Sequence, residues 1–285
     1  MYCTLLTIIV MIEVEHLVYG SFGFDGSAQH IADQSKGISK KTRQEITTFC
    51  DTWGDCKNLK FYSSLNQIWL EDESEPKVAV IKITHHGRDF SGRGGALLRH
   101  ALVLRVQAYQ KLQFNPFKLH HLNMFKDHWA DDDRCETLYL DPAATPREDL
   151  SLIPPELFSS LEENLRSVLE GFHLLSYRNI NTPTSDSYLR FLFSLIPNHR
   201  RKKLALTTFA FRKNHDYQIG CIYSPERVPE DNLDMEFERK AGVSSLGWGN
   251  DLISDYLSTL FFWLRQGGIP KVEEHVENYP ERVRV

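Results

Sequence analysis

The stretch Leu97-Leu-Arg-His-Ala-Leu-Val-Leu-Arg-Val106 constrains this chain more than any other. Six of its ten residues are strongly apolar, in a run too short for an ordinary helix and too continuous for a half-wet strand. Such a run reads as a strand buried on most sides, which requires a sheet with partners around it. The chain can supply them, because 285 residues suffice for one large domain or two modest ones. Five Trp, 11 Tyr and 17 Phe exclude a disordered, solvating polypeptide. Thirty-eight acidic against 33 basic side chains leave a net charge of −5, without the basic excess of a dedicated binder of nucleic acid or anionic membrane.

Around that strand the pattern predicts an α+β chain. Residues 12–19 alternate as a first strand with one wet face, and a glycine-punctuated loop, Gly20-Ser-Phe-Gly23-Phe-Asp-Gly26, follows. Residues 29–37 read as a short strand and turn. Ser39 is placed to cap a helix over 40–50, and strands are expected over 59–70 and 77–84. A second glycine loop, 91–95, enters the apolar strand, and 109–133 reads as short helices and irregular structure. Pro154 and Pro155 open an amphipathic helix, Ser185 caps a second that Pro197 stops, and Asn250 caps a third ended by Gly267, Gly268 and Pro270. Residues 204–211 and 217–223 read as two strands that pair through the turn at 212–216. The expected organisation is an N-terminal β-rich domain (11–140) with one or two helices and a linker (141–153). A mixed α/β domain (154–224) and a C-terminal helical segment (225–285) follow, which gives the second half three amphipathic helices.

The apolar run over residues 2–12 is shorter than the roughly 20 residues of a bilayer span and lacks the basic flank of a secretory signal. Residues 1–10 therefore read as an upstream extension or non-native start, with a short membrane-associating tail as the alternative. Five irregularly spaced cysteines, Cys3, Cys50, Cys56, Cys135 and Cys221, fit free thiols in a reducing compartment, and the expected location is cytoplasmic.

Neither glycine loop carries the Gly-Lys-Ser/Thr ending of a phosphate loop. The adjacent pairs His85–His86 and His120–His121 would point to opposite faces of a strand, so no metal is expected. His100 stands out as a polar group inside the apolar strand, flanked by Arg93 and Arg99. As a catalytic centre it would need those arginines as anion-stabilising groups and Asp25 as a carboxylate; as a structural residue it would need only a hydrogen-bond partner. The basic run His199-Arg200-Arg201-Lys202-Lys203 follows a helix end, where cations suit the dipole, and is a candidate contact for a phosphate backbone or an acidic partner.

Two stretches, taken in order, resemble a known family. The first runs from the glycine loop at 20–26 through Ala32–Gly37 to Arg93-Gly-Gly-Ala-Leu-Leu-Arg-His100-Ala-Leu-Val. The second is Leu195-Ile-Pro-Asn-His-Arg-Arg-Lys-Lys-Leu-Ala-Leu-Thr-Thr208-Phe. Over about residues 12–224 the chain resembles the bacterial GTPase-associated protein family, with Ala205–Thr208 in place of a serine-rich segment and residues 225–285 where the family has a large C-terminal region. The resemblance implies an adaptor or regulator encoded beside a GTPase or other NTPase of a conflict system acting in phage defence. It implies no cofactor and no catalytic residues. Candidate partner contacts are Gly20, Gly23, Gly26, Gly92, Gly94 and Gly95 in the two loops, and Arg200, Arg201, Lys202 and Lys203. Three readings stand at this point: a non-enzymatic adaptor; a hydrolase or transferase centred on His100, Arg93, Arg99 and Asp25; and a nucleic-acid sensor using 199–203. Nucleic acid is not the expected partner and no membrane association is expected.

Overall fold

The computed structural model describes residues 11–20, 29–53, 63–71, 75–88, 94–130, 132–178, 183–202, 204–211, 217–224, 237–240 and 249–279. In chain order they form β1 (Ile12–Gly20), β2 (His30–Gln34), α1 (Lys40–Thr52), β3 (Ser63–Leu70), β4 (Lys77–Arg88), β5 (Gly94–Arg105), α2 (Val106–Gln110), α3 (Pro116–His121) and β6 (Leu138–Leu140). After three short 3-10 turns come α4 (Phe158–Leu169), β7 (His173–Arg178), α5 (Pro183–Ser194), α6 (Asn198–Arg201), β8 (Leu206–Ala210), β9 (Ile219–Tyr223), β10 (Phe237–Lys240), α7 (Asn250–Arg265) and α8 (Ile269–Asn278). The fold is α+β.

A single ten-stranded sheet runs β10-β7-β9-β8-β3-β4-β5-β1-β2, with β6 paired to the start of β1. β5 lies inside it, antiparallel to β4 on one side and β1 on the other, and Leu98, Leu102 and Leu104 are almost fully buried. This is the placement its apolar run demands. Residues directly opposite across a ladder share a face. Val18 lies opposite His100, His100 opposite Lys82, and Lys82 opposite Leu65, so these four define one row on the front of the sheet. Arg99, opposite Tyr19, is on the back.

Helix α1 covers the back. Ser39 caps it as expected, its hydroxyl accepting from Thr42 N–H at 3.1 Å, and the buried Ile46, Phe49, Cys50 and Trp53 form its inner stripe. Phe49 meets Tyr217 edge-on, and Trp53 meets Phe211. In the second half, α4, α5 and α7 bring Leu161, Leu165, Leu189, Phe193, Tyr256 and Phe261 into the same core.

Several details correct the expectations. β8 and β9 do pair, but in parallel and not as a hairpin, and β9 is also parallel to β7; the turn expected at 212–216 lies outside the described residues. β6, β7, β10 and α8 were not foreseen. α7 has Gly249, not Asn250, at its N-cap. α5 starts at Pro183, ahead of Ser185. The 141–153 stretch carries two 3-10 turns, capped by Asp141 and Asp149. Gly267, with φ +69°, turns the chain out of α7, and Pro270 then occupies the first turn of α8, where a missing N–H costs nothing. Gly220 is dictated by close approach: a Cβ there would sit 2.5 Å from Thr207 Cγ2.

The two halves of the sheet meet at β3 and β8, where the ladder has only two pairs, Asn66 with Thr207 and Gln67 with Leu206. Side chains reinforce it. Thr207 donates to Asn66 Oδ1 at 2.7 Å, and Asn66 Nδ2 donates to Ser64 Oγ at 3.1 Å and to the Ile81 carbonyl at 3.3 Å. Ser64 donates to the Phe209 carbonyl at 2.5 Å. Gln67 Nε2 donates to the Leu204 carbonyl at 2.8 Å, and Tyr109 donates to Gln67 Oε1 at 2.5 Å. Asn66, Gln67 and Thr207 are fully buried, so removing one member strands the others away from water. Asn66→Leu is expected to lower stability by about 3 kcal/mol, read from urea unfolding. A loss near zero would show that the seam does not need this network.

Candidate functional site

His100 is the natural starting point, and the structure accounts for both of its ring nitrogens. It is 1% exposed. Lys126 N–H donates to its Nδ1 at 2.9 Å, so its proton lies on Nε2, which is 3.0 Å from His16 Nδ1. His16 in turn donates from Nε2 to the Glu136 carbonyl at 2.6 Å. Two neutral imidazoles thus link β5, β1 and the segment that follows α3. Burial is the main cause that holds His100 down to about 3 and also lowers His16.

Arg99 faces the other way. It is buried on the back, its guanidinium 5.7 Å from the centre of the Tyr19 ring, and Tyr19 donates to Asp51 at 2.6 Å. β5 therefore sends Arg99 and His100 to opposite faces and does not bring them together. Asp25 and Arg93 lie outside the described residues, as do Gly23, Gly26, Gly92 and Lys203. Gly20 ends β1, and Gly94 and Gly95 begin β5. Arg201 is 2% exposed and closes the end of α5: Nη2 donates to the Ser194 carbonyl at 2.6 Å, Nε to Ile196 at 2.8 Å and Nη1 to Gln113 at 3.2 Å. Lys202 is exposed and Arg200 half-buried.

The most chemically equipped concavity lies two strands from His100, on the same face of the sheet. It is a cleft of about 600 Å³, open to solvent, between α3, α5 and the front of β3, β4 and β8. Lys82 reaches it from β4, His120 from α3, and Asp186, Ser187 and Arg190 from the first two turns of α5; Phe117 and Leu65 supply apolar wall. Register explains Lys82: the row that buries His100 under Phe125 continues to a position that α3 only partly covers. Helical spacing explains Asp186 and Arg190, four apart on one face.

The electrostatics are unusual for so small a space. Burial pushes the Asp186 carboxyl up to about 7, although a hydrogen bond from Thr208 and the charge of Arg190 pull it the other way. Burial, then the charges of Lys82, His121 and Arg190, hold His120 down to about 4. Asp186 Oδ1 is enclosed and has no hydrogen-bond partner among the described residues. Lys82 pairs with Asp127 at 2.6 Å, and Asp127 is largely exposed at the rim. Arg190 Nε is 3.0 Å from Glu148 Oε1 but not aligned on it. Glu148 also meets His121 at 3.1 Å, which docks the 141–153 stretch against α3 and α5. No three His, Cys, Asp or Glu side chains gather to hold a metal among the described residues.

A second concavity, a wide groove of about 1110 Å³ including open solvent, lies at the other end of β3. It is lined by Trp69, Pro76, Val106 and Gln107, with Arg105 and Lys202 as cations. Arg105 pairs with Glu75 at 3.2 Å, and both remain well exposed.

Residues 25–141, from before β2 to just past β6, match the family model for GTPase-associated protein 1, N-terminal domain type 2. Over this stretch, less than half of the chain, the protein is similar to a GTPase-associated protein N-terminal domain. The domain contains the His100 strand, Lys82 and His120, whereas Asp186, Arg190 and the second stretch of the resemblance lie beyond it. No curated protein matches the chain. No helix among the described residues is long and apolar enough to cross a membrane.

The buried imidazole pair has a direct consequence for stability. Both histidines titrate lower folded than unfolded, so their stabilisation is complete above about pH 6.5 and is lost as pH falls below it. Replacing His100 with Gln should make unfolding free energy fall less steeply below about pH 6.5, by up to about 1.4 kcal/mol per pH unit. An unchanged slope would place the proton uptake elsewhere.

Proposed function

We propose that the protein is a non-enzymatic adaptor, cytoplasmic and encoded with its partner, that joins a GTPase or other NTPase in a bacterial conflict system of the phage-defence kind. The observation that carries this reading is the GTPase-associated domain over residues 25–141. The distribution of its polar groups agrees with it. His100 and Arg99, the residues most suggestive of catalysis on β5, are committed to the fold on opposite faces. What the chain offers outward includes the groove of Trp69, Val106 and Arg105 from the domain and Lys202 from beyond it, whose apolar floor and cationic edge suit an acidic protein surface with an apolar ridge. Lys202 is the member of the basic run that reaches this groove.

Affinity capture from the native host, with and without GTP or ATP and read by mass spectrometry, tests the reading. An NTPase should co-purify with the wild-type chain and be depleted about tenfold or more by the double substitution of Lys202 and Gln107 with Glu, because like charge at a rim slows association and weakens docking. Capture of no NTPase would overturn the adaptor role. Capture unaffected by the double variant would move the contact away from the groove.

A further inference from the structure

We propose that the cleft between α3 and α5 binds a small organic oxyanion, a carboxylate or phosphate ester, with its anionic head on Lys82 and Arg190 and its apolar body against Phe117. The inference concerns a ligand site and is independent of the adaptor reading. It starts from hydrogen-bonding capacity left unused. Arg190 has one carboxylate beside Nε, and that Nε, though buried, makes no hydrogen bond among the described residues. Lys82 has one carboxylate on one of its three donors. His120 is neutral, and its ring nitrogens make no hydrogen bond among the described residues; the Ser187 hydroxyl also lines the cleft. The carboxylates that balance the two cations sit behind them, Asp127 at the rim and Glu148 under Arg190, so the inner lining is rich in donors.

Asp186 decides the sign of the ligand. As a carboxylate with an enclosed, unpartnered oxygen it would favour a cation. Two groups act on its charge, Arg190 on its own helix and Thr208 from β8; Lys82 from β4 and His120 from α3 line the same cleft, and Glu148 lies beside Arg190. The Arg190 charge and the Thr208 hydroxyl favour the ionised form, and burial outweighs them. Near neutrality the acid form is accordingly well populated, and its O–H is one more donor turned on the same space. A donor-lined recess with fixed cations and an apolar wall recognises an oxyanion on an apolar body. Binding should then carry a proton onto Asp186, so affinity rises as pH falls through about 7 while the ligand stays ionised.

The test uses the full chain, with calorimetry and thermal melting at constant ionic strength, and benzoate, sulfate and benzylamine as probes. Benzoate should bind saturably and raise the melting temperature, sulfate should bind more weakly, and benzylamine should do neither. Arg190→Gln should weaken benzoate about tenfold or more, the loss expected for a charge-assisted hydrogen bond, and Lys82→Gln should do the same if the first variant does not fold. Asp186→Asn should keep benzoate binding and flatten its dependence between about pH 8 and about pH 6. No saturable benzoate binding, affinity unchanged in both cation variants, or preference for benzylamine would each overturn the site. Sulfate binding without benzoate binding would overturn the apolar half of the ligand.

Discussion

The whole molecule hangs on the seam between β3 and β8. Six strands, counting β6, lie on one side of it and four on the other, yet only two residue pairs carry the ladder across. So short a backbone contact cannot by itself hold two sheet halves in register, because each half has its own helices and could repack separately. The side chains of Ser64, Asn66, Gln67, Thr207 and Tyr109 close the deficit by bonding each other and three backbone carbonyls, those of Ile81, Leu204 and Phe209; Trp69 donates to the Leu204 carbonyl as well. Fully enclosed polar networks are costly unless every member is satisfied, and that same all-or-none character fixes a unique register. Here the network substitutes for the strand length that the seam lacks.

The candidate ligand cleft is a by-product of this junction. Where β3 crosses to β8 the sheet's front changes cover, from α3 and the segment after it to α5. Thr208 shows the coupling in one residue: its hydroxyl accepts from Leu65 N–H at 3.0 Å and also bonds Asp186 on α5. The helix that covers the second half is thereby tied to the strand that ends the first. The gap left between α3 and α5 opens on the end of the row that begins at Val18 and His100, at Lys82 and Leu65. His100 and Lys82 are direct neighbours on that row, one buried under Phe125 and the other at the cleft.

This explains which parts were legible in the linear chain. The apolar run at 97–106 announces a strand with neighbours on both sides, Ser39 announces α1, and Pro154 and Pro155 announce the approach to α4, because each signal is local. His100 drew attention as a polar group in an apolar run, and it did need partners, but His16 and Lys126 N–H lie 84 and 26 residues away and no spacing rule names them. Asp186 and Arg190 carry no signal in the linear chain, because only the tertiary position of α5 over β8 encloses them. The parallel β8–β9 pair was hidden for a related reason. A short polar connection normally signals a hairpin, whereas here β7, β9 and β8 share one direction. Pro270 was a helix stop by its chemistry and a helix start by its position, and both are true once α7 and α8 are seen as consecutive.

One face of the sheet therefore holds ionisable groups that burial drives in opposite directions. His16, His100 and His120 are kept neutral, while Asp186 is kept near its titration midpoint. The signs of their linkage to folding differ. The histidines withdraw stability as pH falls below about 6.5, because the unfolded chain takes up their protons first. Asp186 returns stability over the interval from about 7 down toward 4, because its proton is bound more tightly in the folded state. The imidazoles of His16 and His100 have their hydrogen bonds made within the protein, so their neutrality serves the fold. Asp186 has an oxygen left unsatisfied, so its protonation state is free to answer to whatever enters the cleft. The contrast between a satisfied buried pair on β1 and β5 and an unsatisfied acid on α5, over one face of one sheet, separates the structural polar centre from the one equipped to bind.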